Sequence, residues 1–555
     1  MIKAKRIICI IISVLIVVGL FVGCTTGTGK KDNNDVGKTS SKSNESDNKS
    51  TSEDLPTTGF PIVETPITLK IMARYRTGMA DFKDMITWQE YEKLTNIKID
   101  WIMIERASAG EKRNLALATG DLPDAFLKCN FSNSDLIKYG AEGTFIPLND
   151  LIDKYAPNYQ KAINDEVNFP DAKRAVTRLD SNIYSFIYLI HNDSVAVKVG
   201  PNMYINKKWM DAVGKGMPTT TDEFYDVLKA FKTGDPNGNG QADEIPWYVT
   251  GVSGLDPLNG AWGLQNRGTR VGYIDFDENL KKVRFYPADP KYKEMLQFAN
   301  KLYNEKLIDE EMFTANLADL LAKGSKNMIG AFVAAGNQYV GPEHENDFVG
   351  LDYALKGPHG DQNWNANPSA LTTGSFVITN KNKYPVETVK WIDYFYTEEG
   401  SALYLLGKEG VTYIKNPDGT YDFTDLILKN PDGLDPGQAT NKYTPGSVGD
   451  NPVVLLKNVF KGAEAQPIPL NAAEKMQKYS LKEVWTQFDL TIEENERVRE
   501  LSSDINSYVA KTTADFLTGR TPFTEWDNYI AALKKMGLDE FLQIQQIAYE
   551  RYSNH

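Results

Sequence analysis

The chain has 555 residues and a formal net charge of −13, with 41% hydrophobic and 11% aromatic residues. That length can bury two or more hydrophobic cores, and the acidic balance excludes a broad surface for nucleic acid or anionic lipid. An acidic ligand stays open, because a pocket can carry its own Lys or Arg.

The first element in chain order is a leader. Lys3, Lys5 and Arg6 precede an apolar run from Ile7 to Val22, which is followed by Gly23 and Cys24. A positive start, a short apolar stretch and a small residue before the cut describe a secretory signal over residues 1–23. The cysteine directly after the small residue resembles the bacterial lipobox. This implies that Cys24 takes a diacylglyceryl group and becomes the new N-terminus, where two acyl chains anchor stably. The other reading is an uncleaved anchor helix with an incidental cysteine. Residues 24–58 are largely Thr, Gly, Lys, Asn, Asp and Ser. They cannot bury enough apolar surface to offset their ordering entropy and are expected to be a disordered tether, reaching on the order of 30 Å. With Cys9 removed and Cys24 lipidated, Cys129 is left unpaired and is expected to lie buried behind a strand.

Alternation from Ile67 to Ala73 predicts a strand, and Phe82, Met85, Ile86 and Leu94 at helical spacing predict a helix over 81–96. A strand follows over 97–104 with Ile97, Ile99, Trp101 and Met103 on one face. Ser108 and Glu111 form a candidate capping box for a helix ending at Gly120, and Ala125 to Cys129 is a third strand. Strands alternating with helices across short loops predict an α/β fold with a parallel sheet covered on both faces. In such sheets ligands lie beyond the carboxyl ends of the strands, here at Arg74, Tyr75 and Arg76 and at Lys128, Cys129, Asn130 and Phe131.

Farther along, Asp235, Asn237 and Asn239 occupy positions 1, 3 and 5 of a loop with Gly240 at 6 and Asp243 at 9. Alternate oxygen side chains that converge around a glycine turn begin an EF-hand-type calcium loop. Gln241 would give its backbone carbonyl. Position 12 is Pro246 where such loops carry a bidentate Glu, so Glu244 is the expected substitute. Asn and Gly also make ordinary turns, and a metal-free turn is the other reading. Thr491 and Glu494 form a second candidate capping box, opening an amphipathic helix to about Gly519, and a helical run from Trp526 to Tyr552 closes the chain.

Catalytic signatures are sparse. His191, His344, His359 and His555 stand at no metal-ligand spacing, Gly251-Val252-Ser253-Gly254 lacks the second glycine of a nucleophile elbow, and no P-loop appears. A glycosidase pair of acids is not excluded by counting among so many carboxylates. No enzyme activity is expected.

Several segments in order resemble the extracellular solute-binding proteins of carbohydrate ABC importers. They are Thr119-Gly120-Asp121-Leu122-Pro123-Asp124; Asp180 to Phe186 with Tyr204-Ile205-Asn206-Lys207-Lys208-Trp209; and Pro218-Thr219-Thr220-Thr221-Asp222-Glu223-Phe224, with Thr where the family favours Trp. Lys323-Gly324-Ser325-Lys326-Asn327-Met328 and Tyr384 to Tyr404 complete the set. The resemblance implies a two-lobe periplasmic-binding-protein-like fold of type II with a sugar cleft between lobes. The first lobe would hold 60–150 and 325–380, and the second 151–324 and 381–555. It further implies a lipid-anchored monomer on the extracellular face of the cell membrane that delivers an oligosaccharide to permease subunits. The Asp235 loop is similar to the structural calcium site of the long alginate-binding members. Expected cleft residues are Arg74, Tyr75, Lys128 and Asn130, whose cations suit an acidic sugar, and the loop aromatics Trp262 and Trp364 as stacking platforms. Solvated loop positions and plugged surfaces are the other roles open to these six. Trp101 and Trp391, in apolar periodic patterns, are expected in the core. A surface polysaccharide hydrolase and a peptide receptor on the same scaffold are the alternative functions.

Overall fold

A computed structural model describes residues 59–446 and 449–554; the leader 1–23, Cys24 and the tether 24–58 lie outside the described residues. The first strands form where alternation places them. Ile67–Tyr75 (β1), Ile97–Glu105 (β2) and Ala125–Leu127 (β3) are parallel, with Ile67 opposite Ile97 and Ile71 opposite Ala125. Helices Ile86–Thr95 and Ala109–Thr119 connect them. Gly120 ends the second helix at φ 73, a left-handed conformation that costs glycine least. Asp124 then accepts from Lys70 N at 2.7 Å and donates its own N–H to Lys70 O at 2.8 Å, which clamps β3 onto β1.

The two capping boxes differ. Thr491 Oγ1 accepts from Glu494 N at 3.2 Å and Glu494 Oε2 accepts from Thr491 N at 2.9 Å, opening the helix Ile492–Leu517. The box expected at Ser108 is not made. Ser108 belongs to a preceding 3₁₀ turn, at φ −107 and ψ 3, and its hydroxyl donates to Glu105 O at 3.4 Å. The closing helical run is broken by Gly537 into Trp526–Lys535 and Leu538–Ser553.

The remaining strands of the two main sheets are Ser185–Ile190 (β4), Asn202–Asn206 (β5), Ala331–Ala334 (β6), Phe348–Gly350 (β7), Ala370–Ile378 (β8) and Val454–Leu455 (β9). The larger sheet runs β9-β4-β8-β3-β1-β2. It is mixed where a parallel sheet was expected, because β8 lies antiparallel to both β3 and β4. The smaller sheet, β6-β5-β7, is antiparallel.

Each sheet carries its own core, so the fold is a mixed α/β structure of two lobes. Leu69, Ile71, Phe186, Phe376 and Trp391 pack on the six-stranded sheet; Trp209, Phe231, Trp247, Trp485 and Val509 pack on the other side of the molecule with the C-terminal helices. Segment 331–350, expected with the first lobe, pairs with β5 in the second. Residues 151–190 and much of 381–460, expected with the second, pack in the first. Strand pairing between distant segments decides this division, and local patterning does not report it. Trp391 is core and stacks on Trp88 at 5.6 Å. Trp101 is only half-buried, because β2 is an edge strand. Cys129 is buried as expected; its thiol donates to Met72 O at 3.5 Å and burial pushes its pKa up to about 12. No helix among the described residues is long and apolar enough to cross a membrane.

Candidate functional site

Three segments carry the chain between the lobes. Val197 packs in the first core and Val199 in the second, Trp364 in the second and Ala370 in the first, and Phe460 in the first and Ala473 in the second. Two of these crossings are laced together: Asn367 N donates to Lys198 O at 2.8 Å, Asn367 Nδ2 to Val197 O at 2.8 Å, and Lys198 Nζ to Ser369 Oγ at 3.0 Å. Burial lowers the Lys198 ammonium to about 8.

A cavity of about 330 Å³ opens beside this ribbon, walled by Val197 and Leu371 of the first lobe and Leu264 and Trp364 of the second. Two carboxylates face it. Asp256, at the start of the helix Asp256–Ala261, accepts from Asn259 Nδ2 at 3.2 Å, and burial raises its pKa to about 7. Glu464, from the third crossing, is also raised by burial and has no side-chain partner among the described residues. Trp364 Nε1 and Asn202 Oδ1 are buried and unpaired in the same wall. The cavity thus presents two carboxylates, of which Glu464 lacks a side-chain partner among the described residues.

Two smaller cavities continue it. One of about 230 Å³ is lined by Asn130, Thr373, Asp450 and Gln487, and one of about 310 Å³ by Asn133, Ser134, Asn495 and Gln545. A Cβ on Gly374 would stand 2.1 Å from Phe131 O, so glycine is required for β8 to run against the turn that presents Asn130.

Of the six cleft residues expected from sequence, Asn130 and Trp364 line these cavities. Arg74 is ion-paired to Asp450 and reaches the groove only through it. Lys128 is 5% exposed and donates to Pro445 O; burial, then Arg76 and Arg74, hold its pKa well below the usual lysine value. Tyr75 packs against the first core. Trp262 is 2% exposed, packs on Phe298 at 5.5 Å and lines none of the three cavities. Its polar neighbours in sequence fold away from it, so the loop composition misreported its burial. Asp256, Glu464 and Arg270 were not anticipated, and no local pattern marks them.

The Asp235 loop closes on itself as its spacing suggests. Asp235 Oδ1 and Oδ2 accept from Asn239 N and Gly240 N, each at 3.1 Å, and Asn239 Oδ1 accepts from Gln241 N at 2.7 Å. Asp243 accepts from Asn237 Nδ2 at 3.1 Å and from Asn239 Nδ2 at 3.1 and 3.2 Å. Glu244 is 3% exposed and its Oε1 has no partner. Burial raises its pKa, and Asp243 and Asp235 raise it further. A buried carboxylate oxygen beside two more carboxylates fits a hard cation. Acidic side chains alone form no cluster of three suited to a metal among the described residues, so the asparagine oxygens would complete the set. The loop is fixed to its lobe by Asn237 Nδ2 donating to Asn327 O at 3.3 Å. Asn327 closes the segment that begins at Lys323; within it a Cβ on Gly324 would stand 2.6 Å from Val340 Cα.

Residues 75–402 match the model of the bacterial extracellular solute-binding protein family. The fructooligosaccharide ABC transporter substrate-binding protein FusA of Streptococcus pneumoniae is 31% identical over 512 residues, covering 89% of this chain and 92% of that protein. Lipoprotein LipO of Bacillus subtilis is 27% identical, covering 65% and 70%. The structure of S. pneumoniae FusA in complex with kestose aligns with a TM-score of 0.72 at 28% identity, covering 88% of this chain and 100% of that one. An EF-hand mutant of FusA with fructo-nystose aligns at 0.71, with 29% identity and coverage of 88% and 100%. Alginate-binding protein AlgQ2, solved without calcium ion, aligns at 0.68, with 25% identity and coverage of 88% and 99%.

The burial of Trp262 generates a direct test. Trp262→Ala should lower folding stability by about 3–5 kcal/mol, measured by urea denaturation. A loss below about 1 kcal/mol would contradict the packing described above.

Proposed function

Because the chain belongs to the bacterial extracellular solute-binding protein family, we propose that it captures an oligosaccharide between its lobes and delivers it to the permease subunits of an ABC importer, with no chemistry of its own. The groove carries this reading: its cavities are walled by both lobes and present amide, hydroxyl and carboxylate groups beside an unpaired indole N–H. Sugars offer many hydroxyls around apolar C–H faces, and such a lining meets both. The similarity to FusA supports a fructose-containing ligand. Charge favours a neutral sugar over an acidic one. Arg74 and Lys128 are engaged within the protein, whereas Asp256 and Glu464 face the cavity of about 330 Å³ beside the crossings.

The same reading includes a lipid anchor at Cys24, cut after residue 23, a tether over 24–58, and a monomer on the extracellular face of the membrane. LipO supports the anchor. The lobes would divide as 60–197 with 370–460 and 199–364 with 473–554. A structural calcium would be held by Asp235, Asn237, Asn239, Asp243 and Glu244 and the carbonyl of Gln241. Its charge would offset the clustered carboxylates and so stabilise the fold. The EF-hand of S. pneumoniae FusA, whose EF-hand mutant aligns with this chain, supports this site.

Titration calorimetry with kestose, nystose and digalacturonate tests the ligand. Saturable binding of the neutral sugars, with ligand recovered intact after long incubation, is expected. Conversion of the sugar would establish the hydrolase alternative, and binding of digalacturonate alone would reverse the charge argument.

For the ion, chelator should lower the melting temperature and calcium restore it. The stabilisation is roughly 3–4 kcal/mol when the site is filled far above its Kd. Asp243→Ala should abolish that response; identical wild-type melts with calcium and chelator would remove calcium from the account.

Cys24→Ala should abolish acylation in cells, read by labelled fatty-acid incorporation. Undiminished labelling would place the anchor elsewhere.

A further inference from the structure

The three cavities form a row, and one side chain joins them. The first and second share Leu371 and Arg270; the second and third share Ser132, Gln487 and Arg270. Arg270 is thus common to all three linings, and no other Lys or Arg lines any of them among the described residues. It lies in the loop between Ala261 and Ile274, outside every strand and helix, on the second lobe's side of the groove.

Three other arginines of the same lobes are committed. Arg267 pairs with Glu278, Arg284 with Asp275 at 2.6 Å, and Arg178 with Asp489 at 2.6 Å. Arg270 has no hydrogen bond, ion pair or ring contact among the described residues. Asp450, the carboxylate in the middle cavity, is taken by Arg74. The Arg270 side chain reaches solvent, yet enough protein surrounds it that desolvation lowers its pKa. A rigid fork of five donors left without acceptors, at the meeting point of three concavities, is suited to oxygens of a ligand that passes from one cavity to the next. Each cavity, at about 230 to 330 Å³, exceeds the roughly 150 Å³ that admits a benzene-sized ring.

We infer that Arg270 is the length-determining residue of this site, contacting the oxygens that link or flank adjacent sugar units and so favouring saccharides of three or more units over disaccharides. This rests on the proposed capture of an oligosaccharide in the groove. A disaccharide spans at most two of the three cavities and meets the guanidinium from those two alone. A longer chain surrounds the fork and satisfies several N–H groups at once. Asp256 and Glu464, confined to the first cavity, hold the end unit whatever the length.

The test is calorimetric titration of wild type, Arg270→Gln and Arg270→Lys with sucrose, kestose and nystose, with melting temperatures recorded in parallel. If that series is not bound, maltose, maltotriose and maltotetraose replace it. Arg270→Gln should weaken binding of the three- and four-unit sugars by about tenfold or more, the effect of losing hydrogen bonds from a charged donor, and that of the disaccharide by less than about twofold. Arg270→Lys, which keeps the charge and loses the planar fork, should fall between. Melting temperatures should be unchanged, since no contact within the protein is removed. An equal loss at every length, or no loss at all, with wild-type binding intact, overturns the role of Arg270 alone. Failure of the wild type to bind either series overturns the underlying reading and this inference with it.

Discussion

The lacing of the crossing segments is the constraint on which the other features depend. Asn367 binds the backbone of 197–198 through both its amide groups, Lys198 reaches Ser369, and Ile190 N, at the end of β4, donates to Ser369 O at 2.8 Å. Two passages between lobes therefore behave as one ribbon continuous with the larger sheet. Hinges of this kind leave rotation about a narrow strip as the easy motion and resist sliding of one lobe along the other. The first cavity is built on the strip itself, with Val197, Asn367 and Glu464 all in its wall. An oligosaccharide held here, as proposed, would touch the strip that joins the lobes.

Two parts of the molecule follow one electrostatic rule with different outcomes. Glu244, Asp256 and Glu464 are carboxyls whose pKa values are raised first of all by burial. A carboxylate withdrawn from water is unfavourable unless donors or cations compensate it; Asp256 has one donor, Asn259 Nδ2 at 3.2 Å, and Glu244 Oε1 has none. Their neighbours differ. Glu244 is raised further by the charges of Asp243 and Asp235, so with the asparagine oxygens of the loop this position favours positive charge. Asp256 has no charged cause beside its burial and shares a wall with Trp364 Nε1 and Asn202, a setting for neutral hydroxyls that both donate and accept. The reading of one as an ion site and the other as a sugar site comes from this difference.

Sequence reasoning succeeded where the controlling interactions are local. β1, β2 and β3, the turn at Gly120 and the box at Thr491 all depend on residues within one element or its cap. The failures are non-local. Nothing near 370–378 announces that this strand runs antiparallel between β3 and β4, and a separate pairing with β5 places 331–350 in the other lobe. Ser108 has the right spacing, but a preceding 3₁₀ turn sets its backbone in the wrong conformation. Trp262 and Trp364 share a polar sequence setting, yet one is sealed against Phe298 and the other meets a cavity. The closure of the Asp235 loop was legible because the residues that make it lie within ten positions, whereas Asp256, Arg270 and Glu464 come together only through the crossings.

This distribution also separates what holds the fold from what reads the ligand. Gly120, Asp124 and Gly324, all within family-like segments, serve packing: a helix end, a strand clamp and a close approach to Val340. Four groups that face the groove lie outside the strands instead: Asp256 opens a short helix, Glu464 lies in a 3₁₀ turn, and Arg270 and Trp364 lie in connecting segments. Binding surfaces commonly reside on such segments above a rigid scaffold. Similarity in fold therefore says less about the ligand than the charges and unpaired donors that line these three cavities.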